Sequence, residues 1–369
     1  MSLPFVRALA RDRFLQLLLV IGVGLAFAVP FKPAGWPNAI DWHTIITLSG
    51  LMLLTKGVEL SGYFDVLGRR AVRRFHTERR LAMFMVLSAA VLSTFLTNDV
   101  ALFIVVPLTI TLKKLCEIPV NRLIIFEALA VNAGSLLTPI GNPQNILLWG
   151  RSGLSFMAFI GQMAPLALAM MATLLALCWF VFPNKTLNYH SGAKSPKWQP
   201  RLVWCCLGFY LVFLTALELK QELWGLALVA AGFLLLARRV VLSVDWTLLL
   251  VFMLMFIDVH LLTQLPALHS LLNATGQLSP AGLWLTAIGL SQVISNVPAT
   301  ILLLNYVHPD TLLAWAVNVG GFGLLPGSLA NLIALRMANS RRIWWRFHLW
   351  SLPMLLWAAL VGYGLLFFR

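Results

Sequence analysis

The chain has 369 residues, of which 60% are hydrophobic and only 11% charged, with a mean hydropathy of +0.86. A soluble domain carries roughly 25% charged residues, so this composition excludes one and indicates an all-α polytopic membrane protein. The formal charge of +14 does not make nucleic acid a partner, because Lys and Arg of membrane proteins collect in cytoplasmic loops.

Arg7, Arg11 and Arg13 precede the first apolar run. Ala26-Phe27-Ala28 resembles a cleavage site, but the run is read as a retained helix over about 13–31, since a repeat partner for it appears later. A span over 41–62 opens on Asp41-Trp42 and carries Lys56 and Glu59, which can pair at i, i+3. The basic segment 63–80 is read as a loop. Residues 81–112 are apolar but break at Thr97-Asn98-Asp99, which predicts a re-entrant hairpin. At ~1.5 Å per residue its arms fall short of a ~30 Å bilayer core.

A broken helix follows over 122–150, carrying Glu127, then a span over 156–182 and a second loop over 183–200. Spans at 203–219, 222–240 and 245–262 come next. The last opens on Asp245-Trp246 and ends near Asp258 and His260. A second hairpin over 281–307 breaks at Ser295-Asn296-Val297, and a second broken helix covers 311–338. A final span covers 345–368. The total is about nine spans plus two hairpins. His43, His269, His308 and His348 fall near predicted boundaries, where a histidine is unremarkable, and the 14 tryptophans suit interfacial belts.

With the N-terminus cytoplasmic and the C-terminus periplasmic, 22 of the 27 Lys and Arg fall on the inner side and four outside. The inner set includes Arg69, Arg70, Arg73, Arg74, Lys113, Lys114, Lys194, Lys197, Arg341 and Arg342; the outer set is Lys32, Arg151, Lys220 and Arg369. That asymmetry supports both the spans and the orientation. No GxxxxGK[ST], HExxH or GxSxG motif is present, so neither a P-loop ATPase nor an intramembrane enzyme is indicated. Cys116, Cys178, Cys205 and Cys206 form no CxxC pair, and no metal or other cofactor is expected.

The chain repeats itself. Asp41-Trp42 recurs as Asp245-Trp246, Thr97-Asn98-Asp99 as Ser295-Asn296-Val297, and the run Gly134 to Asn145 as Gly321 to Asn331. The first repeat then occupies 1–182 and the second 222–369, with 183–221 supplying a linker loop and one extra span. That extra crossing inverts the second copy, an arrangement found in secondary transporters.

Each break reads as a helix start. Asn98 is placed as the N-cap of an arm beginning at Asp99, Asn296 as the cap of an arm with Pro298 in its first turn, Asn142 as a cap before Pro143, and Ser328 as the cap of the last half-helix. Helix N-termini carry unpaired N–H groups and about half a positive charge. Four converging in the membrane make an anion site without a buried Arg or Lys, and the carbonyls before each break suit a cation. The candidate binding residues are Thr97, Asn98 and Asp99; Ser135, Thr138, Gly141, Asn142 and Asn145; Ser295 and Asn296; and Gly321, Gly327, Ser328 and Asn331.

The segments 96–103, 138–145, 295–300 and 325–331 resemble the ion transporter superfamily, which includes arsenite permeases, sodium:proton antiporters and divalent anion:sodium symporters. The resemblance covers nearly the whole chain. It implies that the tips and breaks bind a small inorganic or organic anion with H⁺ or Na⁺ as coupling ion. It also implies an elevator motion in the inner membrane, often in a homodimer. The dicarboxylate symporters carry Ser-Asn-Thr at both tips, whereas Asn98-Asp99 and Asn296-x-Pro298 look closer to the arsenite permeases. A cation:proton antiporter exchanging on Asp99 is the competing expectation.

Overall fold

A computed structural model of the chain describes residues 12–30, 32–188, 198–266 and 277–368. Arg7, Arg11, Lys194, Lys197, His269 and Arg369 of the charge and boundary reading lie outside the described residues. The described chain is almost entirely helical and falls into two compact units. Neither unit is a half of the sequence: one takes Met1–Tyr63 with Lys197–Asn273, the other Phe64–Pro196 with Ala274–Arg369.

The first unit contains α1 (Arg13–Ala28), α2 (Trp42–Leu60), α9 (Pro200–Glu218), α10 (Glu222–Leu236) and α11 (Trp246–Thr263). Small residues bring these helices together, as van der Waals packing requires where lipid competes for apolar surface. Gly50 of α2 lies under the ring of Phe213, and Gly57 under Cys206 and Phe233. Asp41 and Asp245 both stand at N-caps. The indoles that follow them donate to matched carbonyls, Trp42 to Pro37 and Trp246 to Val241, each at 2.9 Å. The expected Lys56–Glu59 pair is present at 2.9 Å.

The second unit holds both hairpins and both broken helices. The segment 63–80, expected as a loop, instead forms the amphipathic helix α3 (Tyr63–Arg74), whose Gly68 packs on Leu112 and Leu115. The first hairpin is α4 (Glu78–Phe95) and α5 (Asn98–Leu115), 18 residues each. These arms are longer than the 81–112 expectation, about 27 Å at ~1.5 Å per residue. The added turns carry Glu78, Arg79, Arg80, Lys113 and Lys114, so helix propensity carries the arms past the apolar stretch.

Next come α6 (Val120–Ser135), α7 (Pro143–Ser152) and α8 (Phe156–Val181), the first broken helix and the span after it. The second hairpin is α12 (Pro280–Ile294) and a short α13 (Asn296–Leu303). The second broken helix is α14 (Thr311–Val319) and α15 (Leu329–Ala338), followed by α16 (Ile343–Phe367). The packing crosses over. α15, from late in the chain, lies on α5 and α6, while α7, from early in it, lies on α13 and α14.

Among the described residues four helices are both long and apolar enough to cross a membrane: Phe156–Val181, Pro200–Leu217, Trp246–Thr263 and Ile343–Phe367. The predicted span 222–240 is interrupted at Ala237, after which Arg238–Ser243 forms a separate short helix.

Candidate functional site

The two broken helices carry most of the candidate residues. α6 ends at Ser135 and the chain turns back before α7. Asn142 is the N-cap of α7, as expected, accepting from the Asn145 N–H at 2.9 Å, with Pro143 in the first helical position. Gly141 is required by the turn, because a Cβ there would run into the Ser135 carbonyl. The Asn145 amide donates to the carbonyls of Ser135, Leu136 and Thr138, which satisfies acceptors that α6 leaves orphaned at its end. Thr138 Oγ1 donates to the Thr94 carbonyl on α4 at 2.7 Å. The Asn98 N–H donates to the Gly141 carbonyl at 2.9 Å, joining the first hairpin tip to the first break.

The second break passes through two 3₁₀ turns, Gly320–Phe322 and Leu325–Gly327, before α15. Asn331 donates to the Gly321 carbonyl at 2.9 Å. Gly321 lies against the Asn296 amide, so a Cβ there would stand 3.3 Å from Asn296 Nδ2. Gly327 closes against the Gly320 carbonyl. The second tip and second break therefore also meet, through the Asn296 side chain rather than a backbone bond.

The caps at two breaks differ from expectation, and the third stands in place without its bond. Asn98 is the first residue of α5 rather than its cap. Thr97 takes the N-cap position without a side-chain bond, and Asn98 Oδ1 accepts from the Asp99 N–H at 2.9 Å. Asn296 likewise opens α13 behind Ser295, whose φ of 73° and ψ of 154° fall in a region that is essentially glycine-only. Ser328 is the N-cap of α15 but makes no cap bond; its Oγ donates to Asn132 instead.

Asn132 and Asn318 are the residues the sequence reading missed. Asn132, on α6, donates to Asn331 Oδ1 at 2.8 Å and to the Ala128 carbonyl at 3.1 Å. Asn318, on α14, donates to Asn145 Oδ1 and to the Ala314 carbonyl, both at 2.8 Å. Their carbonyl oxygens accept in turn, Asn132 from Ser328 Oγ and Asn318 from Asn142 Nδ2, each at 3.0 Å. One constant spacing carries Ala128, Asn132, Ser135, Asn142 and Asn145 onto Ala314, Asn318, Gly321, Ser328 and Asn331. The register expected from Gly134 onto Gly321 is thus corrected by one residue, to Gly134 onto Gly320.

A second constant spacing maps the hairpin arms, Ser93 onto Ser291 and Thr94 onto Gln292. Gly134 and Gly320 pack on those two serines, and Thr94 and Gln292 donate to the carbonyls of those two glycines. The available signal was asparagine inside apolar helices, which is expensive in lipid unless bonded.

Asp99 and Gln144 complete the buried polar set. Asp99 Oδ1 and Gln144 Oε1 have no hydrogen-bond partner, and Gln144 Nε2 donates to Asn318 at 3.3 Å. The candidate residues include no Lys or Arg, and the starts of α5, α7, α13 and α15 each add a partial positive charge. Among the described residues no group of His, Cys, Asp and Glu could hold a metal. A cavity of about 510 Å³ lies away from the breaks, lined by Glu78, Lys113, Cys116, Glu117 and Lys185 among others.

Interrupted helices with buried amide networks place the chain in the class of polytopic helical membrane proteins. Residues 8–311 match the citrate transporter family, and the chain belongs to that family. It is 82% identical to the inner membrane protein YbiR of Escherichia coli strain K12, over 99% of this chain and 98% of that one. An uncharacterized transporter of Methanocaldococcus jannaschii is 31% identical, over 89% of this chain and 90% of its own. An uncharacterized transporter of Mycobacterium tuberculosis is 28% identical, over 81% and 79%. The expectation of a transporter rather than an enzyme is met by these relatives.

Proposed function

We propose that the protein is a secondary active permease for a small anion in the inner membrane, coupled to H⁺ or Na⁺. The observation that carries this reading is the crossed pair Asn132–Asn331 and Asn318–Asn145 at the starts of two half-helices. These amides and the N–H groups at the starts of α7 and α15 offer an anion donors that need no charged side chain. A ligand entering there exchanges its own hydrogen bonds for those between the asparagines.

The matched bonds support two repeats, the first over 1–182 and the second over 222–369. The Lys and Arg asymmetry supports about nine spans, a cytoplasmic N-terminus and a periplasmic C-terminus, and hence inversion of the second repeat. Both hairpins and both broken helices belong to one compact unit, which supports an elevator motion of that unit. A homodimer is part of the reading, for which native mass spectrometry should give the mass of two chains.

The test is a thermal-shift screen of the purified protein against citrate, arsenite, sulfate and phosphate, with and without Na⁺ and at two pH values. Ligand at about a hundredfold over its Kd adds about 2.7 kcal/mol of apparent stability. One anion should stabilise the wild type and fail to stabilise Asn98→Ala or Asn296→Ala. The unpartnered Asp99 oxygen favours a second reading, cation:proton exchange. It gains ground if no anion acts while Na⁺ or pH shifts the wild type and not Asp99→Asn.

A further inference from the structure

Glu127 lies in the middle of α6 and is fully buried. Thr109 Oγ1 of α5 donates to its Oε1, and Oε2 has no partner. A carboxylate in that position is stable only with a cation beside it or a proton on it. Among the described residues the partner of the Glu127 carboxyl is the Thr109 hydroxyl, and no cationic group bonds either of its oxygens.

The helices packed on α6 are α4, α5, α8, α15 and α16. α4 has charge only in its first turn, at Glu78, Arg79 and Arg80; α5 has Asp99 at its start and Lys113 and Lys114 at its end. α15 contributes Arg336 in its last turn, and α16 has Arg346, His348 and Tyr363. α8 carries no charge, and its one titratable side chain is Cys178. On α6 itself Arg122 is five residues away, about 7.5 Å along the axis. Glu127 Oε2 has no hydrogen-bond partner among these groups, and Thr109 supplies the one side-chain oxygen bonded to Glu127. A hard cation takes several oxygens, which leaves the proton.

The constant spacing that carries Asn132 onto Asn318 carries Glu127 onto Leu313, which is also fully buried. An apolar side chain therefore suffices for packing at this position, and the acid in the first half has another use. Asp99 is different. It sits in the first turn of α5, where the helix dipole favours a charge.

We propose that Glu127 is a proton-binding site of the transport cycle. The carboxylic acid, held by Thr109, releases its proton to water when the seam between α5 and α6 is wetted, and the carboxylate takes one back from water on the other side. Its coupling role rests on the permease reading; the proton binding itself does not.

The test is infrared difference spectroscopy of the full-length protein in liposomes, paired with uptake of labelled citrate or arsenite under an imposed proton gradient. A protonated-carboxyl band is expected in the wild type. It should be absent in Glu127→Gln and in Glu127→Leu, which copies Leu313, and shifted in Thr109→Val. It should be lost reversibly as pH is raised. Gradient-driven uptake should fall on the order of tenfold in Glu127→Gln, with exchange of probe across the membrane retained.

A band unchanged in Glu127→Gln overturns the proposal, as does one that does not titrate, or gradient stimulation that survives the substitution. If neither probe is taken up while the band titrates and Glu127→Gln removes it, the proton site stands and the permease reading is what fails.

Discussion

At the scale of single residues, Ser295 carries the clearest strain. Its φ of 73° costs a non-glycine residue on the order of 1–3 kcal/mol, and it is held at the tip of the second hairpin. Ser295→Gly is therefore expected to raise the melting temperature in a thermal scan while weakening any anion-induced shift. A lower melting temperature would mean that the Ser295 hydroxyl, 3.4 Å from Asn296 Oδ1, contributes more than the backbone strain removes. Cys116 allows a second check. Burial pushes its thiol up to about 11 from an ordinary value of 9.0, and the thiolate is the reactive form. Alkylation by a maleimide at neutral pH should be slow and should accelerate as pH rises toward 11. The same shift means that stability from this group is intact below 9.0 and is lost as pH rises from there to about 11. Fast labelling at neutral pH would show the site to be open.

At the scale of elements, the apolar pattern located the breaks of both hairpins and both broken helices but missed the one at Ala237 and placed helix ends poorly. The first hairpin was expected to stop where hydropathy stops, yet α4 and α5 continue through their charged outer turns. Arg and Lys are good helix formers, and an arm does not end merely because it leaves the apolar layer. The opposite error occurred at 63–80, where six arginines suggested a loop. Phe64, Gly68 and Ala71 fall on one face and are buried, which gives an amphipathic helix. The caps show the same limit. Asn142-Pro143 was legible because the proline fixes the first helical position. Asn98 and Asn296 were misplaced by one residue because nothing local distinguishes a cap from the position after it.

At the scale of the whole molecule, the halves of the sequence are tied by bonds between residues far apart in the chain. Asn132 with Asn331, and Asn318 with Asn145, are equivalent links. Removing either partner leaves a buried amide unsatisfied, which costs about 1–3 kcal/mol. Asn132→Ala and Asn331→Ala should each destabilise by that amount. The double variant should fall short of their sum by about 0.5–3 kcal/mol, and the Asn318–Asn145 cycle should behave alike. Strict additivity in unfolding measurements would mean that the two asparagines do not act as a pair.

By itself the sequence determined that the chain is helical and membrane-embedded, and that polar interruptions recur in matched order. Each of these is a local property, since unpaired backbone and polar side chains are costly in lipid wherever they occur. Only the tertiary structure decided that each late half-helix packs in the other half of the chain, and that Asn132 and Asn318 stand between the breaks. It also decided that Glu127 meets Thr109 while Leu313 fills the matching place. Those outcomes depend on which helix faces lie together, and an asparagine or glutamate in an apolar run reads the same until its partner is in view.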